Sequence, residues 1–307
     1  MPMKDRYLAL GPVVAWKERS RPLDWSAEFG RQARLEVEIG FGNGEYLVRR
    51  AASHPDLDLV GIELTWGSLR RALRKLHQEQ VSNARLLWED ARVALSFTFA
   101  PASIDRVYAL FPCPWPKKRH AKNRLFRQEF LRLVNSRLRP EGTLTVVTDH
   151  AAYRDQIVEE APPGGFVPTV TAIGPEHHTK YERKWQEGGQ VEFYRLDLAK
   201  TTHHQHATPQ EVSLERLRRP TFEPDSYKPA DLHGRLTVEF KSFLFDAKAE
   251  RGLQEVITVE DDFTQHFWIE IRHKNDEWWV APAPGCQVLP LVSVQTALDL
   301  VAKAMVP

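Results

Sequence analysis

Residues 34–52 constrain this chain more than any other stretch. Arg34 to Ile39 alternates polar and apolar side chains and reads as a β-strand. The run Glu38-Ile-Gly-Phe-Gly-Asn-Gly-Glu45 breaks it, and Glu45 to Ala52 then reads as a helix. A strand that passes through a glycine-rich turn into a helix is the first unit of a doubly wound α/β sheet. The turn lies at the carboxyl edge of the strands, where such sheets bind ligands. Glycines let the backbone take positive φ and come close to a ligand, which marks Gly40, Gly42 and Gly44 as a candidate ligand turn.

The following segments keep the alternation. Leu57 to Leu64, Ala84 to Trp88, Ser103 to Phe111 and Gly142 to Thr148 read as strands. Gly67 to Gln78 reads as a basic helix. Phe126, Phe130, Leu133, Val134 and Leu138 recur at helical spacing, with Pro140-Glu-Gly142 expected to end that helix. The pattern predicts a mostly parallel sheet covered on both faces. Two more strands, Phe166 to Ile173 and Val191 to Leu198, complete a first domain over residues 1–200. Residues 201–224 are polar and read as a linker. Residues 225–307 contain a strand meander and a helix expected to be capped by Ser293, a small α+β domain.

Charge separates the two parts. Residues 206–307 carry 11 lysines and arginines against 16 acids, whereas residues 1–205 carry 31 against 25. The basic excess is concentrated between Arg106 and Gln128, where no acid occurs. An acidic second domain is expected to repel phosphates and to support packing or contact a protein partner. Cys113 and Cys286 are the two cysteines, too few for a disulfide framework, and no apolar run is long enough to span a membrane, so a cytoplasmic location is expected. No metal site is expected, since His203, His204 and His206 lie in a polar linker without a spaced fourth ligand.

Acidic side chains around the glycine turn, Glu38 and Glu45, suit a sulfonium and an ammonium better than a pyrophosphate. Glu63 closes the second strand and can accept from two ribose hydroxyls. Asp90 closes the third and can accept from an adenine amino group. After the fourth strand comes Phe111-Pro-Cys-Pro-Trp-Pro-Lys-Lys-Arg-His120. Prolines stiffen this turn, the tryptophan offers a stacking face, and the cations suit phosphates.

These pieces together resemble the bacterial tRNA (guanine-N7)-methyltransferases. The matching segments are EIGFGNGEYL at 38–47, GIEL at 61–64, EDA at 89–91, FPCPWPKKRHAKNRL at 111–125, TD at 148–149 and TKYE at 179–182, in order over about residues 34–200. The resemblance implies a Rossmann-like class I methyltransferase fold, S-adenosylmethionine as cofactor and a guanine of the tRNA variable loop as substrate. It implies cofactor contacts at Glu38, Gly40, Gly42, Gly44, Glu63, Asp90 and position 113. It implies substrate contacts at Lys117, Asp149, Thr179, Lys180, Tyr181 and Glu182. Lys118, Arg119, His120, Lys122 and Arg124 are then expected to touch RNA. Catalysis is expected from Asp149 and position 113, where the family has an aspartate and this chain has Cys113. Two other readings stay open: a cytosine-C5 RNA methyltransferase with Cys113 as nucleophile, and a tRNA-binding relative without catalysis.

Overall fold

A computed structural model describes residues 8–177, 182–183, 192–261 and 263–305. The chain divides into two compact units, residues 1–206 and 207–307.

In the first unit seven strands form one sheet: β1 (Arg34–Ile39), β2 (Leu57–Glu63), β3 (Ala84–Trp88), β4 (Ile104–Leu110), β5 (Leu138–Thr148), β6 (Phe166–Ile173) and β7 (Phe193–Lys200). Their order is β3-β2-β1-β4-β5-β7-β6. The first five are parallel; β7 pairs antiparallel with β5, and β6 antiparallel with β7. Among the described residues six α-helices accompany them: α1 (Trp25–Phe29), α2 (Glu45–Ser53), α3 (Trp66–Gln78), α4 (Ala91–Thr98), α5 (Gln128–Arg137) and α6 (Ala151–Glu160). Leu57 to Ile62 are all buried, as a strand needs when helices cover both faces of its sheet. On one face Leu47, Val48 and Ala51 of α2 pack with Leu69, Ala72, Leu73 and Leu76 of α3 over Leu57, Leu59 and Leu86.

The structure departs from the sequence expectation in two places here. α4 lies outside the segments read as helical; Asp90 caps it by accepting from the Arg92 N–H at 2.8 Å. β5 begins at Leu138, ahead of Pro140-Glu-Gly142. A register irregularity carries the pairing from Ile104 with Leu138 to Arg106 with Thr143, so a strand bulge absorbs the proline expected to mark a helix end. His203 and His204 are held by local contacts: Nδ1 of His203 lies 2.8 Å from Nζ of Lys200, and His204 N–H donates to Asn135 Oδ1 at 2.8 Å.

The second unit is a five-stranded antiparallel sheet of β8 (Leu217–Arg219), β9 (Leu236–Asp246), β10 (Arg251–Glu260), β11 (Phe263–Lys274) and β12 (Glu277–Pro282), in the order β8-β12-β11-β10-β9. α7 (Val292–Ala304) packs Val294, Ala297, Leu298 and Val301 onto Val256, Ile269, Ile271 and Val280. β8 falls inside the stretch read as linker, where its short basic sequence hid it; three residues of edge pairing to β12 suffice to hold it. Ser293 does not cap α7. The Glu260 carboxylate, reaching across from β10, accepts the Ser293 N–H at 2.8 Å instead. Trp278 is buried in this core, whereas Trp268 and Trp279 are half-buried and alternate away from it.

Gly44 starts α2 at φ +71, and a Cβ there would meet the Ala72 Cβ of α3 at 2.6 Å. Gly44→Ala combines a left-handed alanine with overpacking and is expected to cost about 2–4 kcal/mol. Urea unfolding of the variant beside the parent checks this; equal midpoints and slopes would show that α2 and α3 do not depend on the missing methyl.

Candidate active site

All five parallel strands end at one edge, and Glu38, Gly40, Gly42, Gly44, Glu63, Asp90 and Asp149 collect there. Gly40, Gly42 and Gly44 follow β1 at φ +69, +54 and +71. A Cβ at Gly40 would meet nothing within 4 Å, so the turn borders open space. Glu63, at the end of β2, accepts the Gly42 N–H at 2.9 Å through one oxygen and the Thr65 N–H at 2.9 Å through the other. It therefore shapes the turn, and a carboxylate keeps lone pairs for further donors. Glu38 lies in the middle of this edge, 4% exposed, with Oε2 buried and lacking a hydrogen-bond partner among the described residues. Burial pushes its carboxyl up to about 8, against the opposing pull of Arg49. Glu38, Gly40, Phe41, Gly42, Glu45 and Tyr46 line a cleft with Ser68, Arg71 and Leu110.

β4 leads into the proline-rich turn. Phe111 and Trp115 adopt φ +56 and +44, in a turn fastened by a buried guanidinium. Arg124 is that guanidinium. It is 7% exposed, donates to the Pro114 carbonyl at 2.7 Å and to Gln156 Oε1 at 2.8 Å, and lies over the Tyr153 ring. Arg124, expected from the sequence to touch RNA, is thus buried, with its guanidinium engaged inside the protein in fixing the turn. Cys113, Lys117, Arg119 and Lys122 are exposed, and the His120 ring meets Trp115 edge to face at 6.0 Å. Asp149 is half-buried just past Thr148, at the end of the strand next to β4. Thr179, Lys180 and Tyr181, and the side chain of Lys118, lie outside the described residues.

Glu182 is described, and it is fully buried. One of its oxygens accepts both the Glu176 N–H at 3.1 Å and the His177 N–H at 2.9 Å. Sequence reasoning missed the residues that dock this segment on the glycine-turn helix. Arg49 donates to the His177 carbonyl, and the His177 ring meets Tyr46 edge to face at 5.6 Å. Arg183 donates to Glu45 at 2.7 Å, and Lys75 pairs with the same oxygen at 3.1 Å. Burial holds the His177 ring below its ordinary value, which favours the neutral form. Only Glu45 and Tyr46 carried a hint, by following the glycines directly.

A family model described as a putative methyltransferase matches residues 32–195. The tRNA (guanine-N(7)-)-methyltransferase of Thermotoga maritima is 31% identical over 268 residues, 84% of this chain and 84% of that protein. The chain belongs to the tRNA (guanine-N7)-methyltransferase family. The Thermus thermophilus protein of the same name is 33% identical over 269 residues, 80% of each chain. That of Chlorobium phaeobacteroides is 41% identical over 169 residues, 55% of this chain and 83% of its own. Residues 1–206 are about two thirds of the chain, so the Thermotoga and Thermus matches extend into the second unit. The expectation that the likeness stops near residue 200 is corrected: the short motifs end there, but sequence similarity does not.

Glu182→Ala removes the acceptor of two amides at once. Hydrogen exchange at Glu176 and His177 is expected to quicken by roughly 10- to 100-fold, the loss of charge-assisted hydrogen bonds. Unaltered protection at both amides would mean that this segment is held by other contacts.

Proposed function

We propose that the chain transfers a methyl group from S-adenosylmethionine to N7 of a guanine in tRNA, in the variable loop. The observation that carries this is the buried Glu38, one oxygen of which has no hydrogen-bond partner among the described residues, beside an open glycine turn, within a family of that activity. A buried carboxylate with one oxygen left unpaired fits a ligand that brings a cation. The bound cofactor would supply an electrophilic methyl on a sulfonium. Glu38 would accept its ammonium, the Gly40–Gly44 backbone would lie close against it, and Glu63 and Asp90 would take ribose and adenine donors.

Guanine N7 has an in-plane lone pair and no proton to lose, so the enzyme needs no general base. It has to align the two reactants, and positioning supplies much of such a rate gain. As the base gains positive charge, Asp149 at the end of β5 would stabilise it. The exposed Lys117, Arg119 and Lys122 after β4 would meet phosphates, and the segment ending at Glu182 would help hold the base. Nothing in this scheme requires a nucleophilic thiol at Cys113.

The direct test is incubation with labelled cofactor and unfractionated tRNA, followed by mass spectrometry of the nucleosides. N7-methylguanosine is the expected product of the natural chain and of Cys113→Ala. 5-Methylcytidine that disappears in Cys113→Ala would instead make the thiol a nucleophile, and no product from the natural chain would leave a binding protein.

Glu38 also makes cofactor binding depend on pH. With its carboxyl near 8 in the free protein, it is mostly protonated at pH 7. A cation favours the ionised form, so binding at pH 7 expels a proton. Affinity for S-adenosylhomocysteine, which keeps the ammonium, should climb by up to about tenfold per pH unit below 8 and flatten above it. Calorimetry in buffers of different ionisation enthalpy reads both effects; a flat affinity from pH 6 to 8 with no proton release would remove Glu38 from the cation site.

A further inference from the structure

Helix α3 holds Arg70, Arg71, Arg74, Lys75 and His77 and no acid, and the site described above does not account for most of that charge. Arg71 is occupied by Asn43 and Ser68, and Lys75 by Glu45. Arg70 and Arg74 are exposed, and among the described residues neither makes a hydrogen bond or ion pair. They continue a line begun by Trp66, since positions 66, 70 and 74 follow one another at four-residue steps along one helix face. Leu69, Ala72, Leu73 and Leu76 turn to the core and are buried, whereas positions 66, 70 and 74 are all exposed.

Trp66 is not alone there. Trp88, at the end of β3, lies with its ring centroid 5.0 Å from that of Trp66, the planes inclined at 42°. The indole of Trp88 is anchored by its N–H on the Leu64 carbonyl at 2.9 Å. Trp66 is 38% exposed and Trp88 52% exposed. Tryptophan is among the residues most costly to leave in water, and two side by side on one surface mark a contact site.

We propose that Trp66 and Trp88, with Arg70 and Arg74, form a docking surface for an unpaired base of the RNA substrate and the phosphates beside it. The inference rests on the tRNA-methylation reading and adds a second RNA contact to it. Two features select RNA over another occupant. Indole faces stack on any unpaired base, and unpartnered arginines next to them match its flanking phosphates in charge. The sheet order supplies a third reason. The glycine turn follows β1, with β2 and β3 on one side of it and β4 and β5 on the other. The cationic segment after β4 and the aromatic pair at the ends of β2 and β3 therefore flank the turn. β3 and β4 stand three strand spacings apart, about 14 Å. An RNA held at both places passes directly over the cleft lined by Glu38 and the glycines. The surface would thus fix the direction in which the substrate crosses the site, while the base that reacts enters between the two contacts.

The test uses the full chain and unfractionated tRNA titrated over a range of salt, with S-adenosylhomocysteine affinity measured in parallel. Arg70→Gln with Arg74→Gln should weaken tRNA binding and lower the salt slope by roughly 0.7–0.9 for each phosphate no longer neutralised. Trp66→Ala should weaken tRNA binding roughly 5- to 100-fold, and Trp66→Phe should restore most of it, because phenylalanine still stacks. Affinity for S-adenosylhomocysteine should not change in any of them. Parental tRNA affinity and salt slope in the arginine pair, together with parental affinity in Trp66→Ala, would overturn the proposal. So would a loss of S-adenosylhomocysteine binding in Trp66→Ala, which would give the aromatic pair to the cofactor. Should the tryptophan variant fail to fold, the exposed arginine pair decides. Nucleoside analysis of the natural chain stands apart: absence of N7-methylguanosine there would remove the parent reading, whereas its presence beside unaffected variants would remove this inference alone.

Discussion

The hydrogen bond from Gly42 N–H to Glu63 joins the two strands on which the site depends. It spans 21 residues of sequence and fixes the glycine turn against the end of β2. With the turn fixed, α2 leaves at a set angle, Gly44 packs on Ala72, and the cleft floor carries Glu38. Glu38 is only partly supported, by the Leu47 N–H. Its buried, unpaired oxygen is destabilising in the free protein, and a site that stores such a cost is organised for a ligand bearing the opposite charge.

The start of α2 then carries a second layer. Glu45, Tyr46 and Arg49 hold Arg183, His177 and the His177 carbonyl, so His177 and Arg183 rest on the same helix that begins at the glycine turn. The cleft lined by Glu38 and the residues around His177 and Arg183 thereby share a foundation, and a shift of α2 would be felt by both. Arg124 performs the matching task on the other side, where its guanidinium ties the proline-rich turn to α6 through Pro114 and Gln156. Two charged side chains that look like ligand contacts in the sequence, Arg124 and Glu182, are thus at least partly scaffold. Both are buried, and both satisfy backbone groups of the loops that carry the exposed functional residues.

The second unit solves a simpler problem. Its sheet is antiparallel, buries one face under α7, and leaves the other half-covered, with Arg218 lying over Trp279. Its acids are used in part internally, since Glu260 caps α7 and Glu270 pairs with Arg251. Net charge alone is therefore a poor guide to what this surface presents.

What the sequence determined by itself was the local grammar. Strand periodicity, the glycine run, strand-ending carboxylates and the acid-free basic stretch are encoded within a few residues, and sheet handedness and ligand edge follow from general rules. So the parallel sheet, the edge bearing Glu38, Glu63, Asp90 and Asp149, and the strand meander were all legible. Tertiary structure decided which charges face water. Arg124 and Lys117 lie in one basic run, yet one is buried and the other exposed, because burial depends on α6 arriving from 28 to 32 residues away. Glu260 replaces Ser293 as a cap for the same reason, as a partner 33 residues distant cannot be seen in a local pattern. The pairing of Trp66 with Trp88 likewise exists only once β2 and β3 lie side by side.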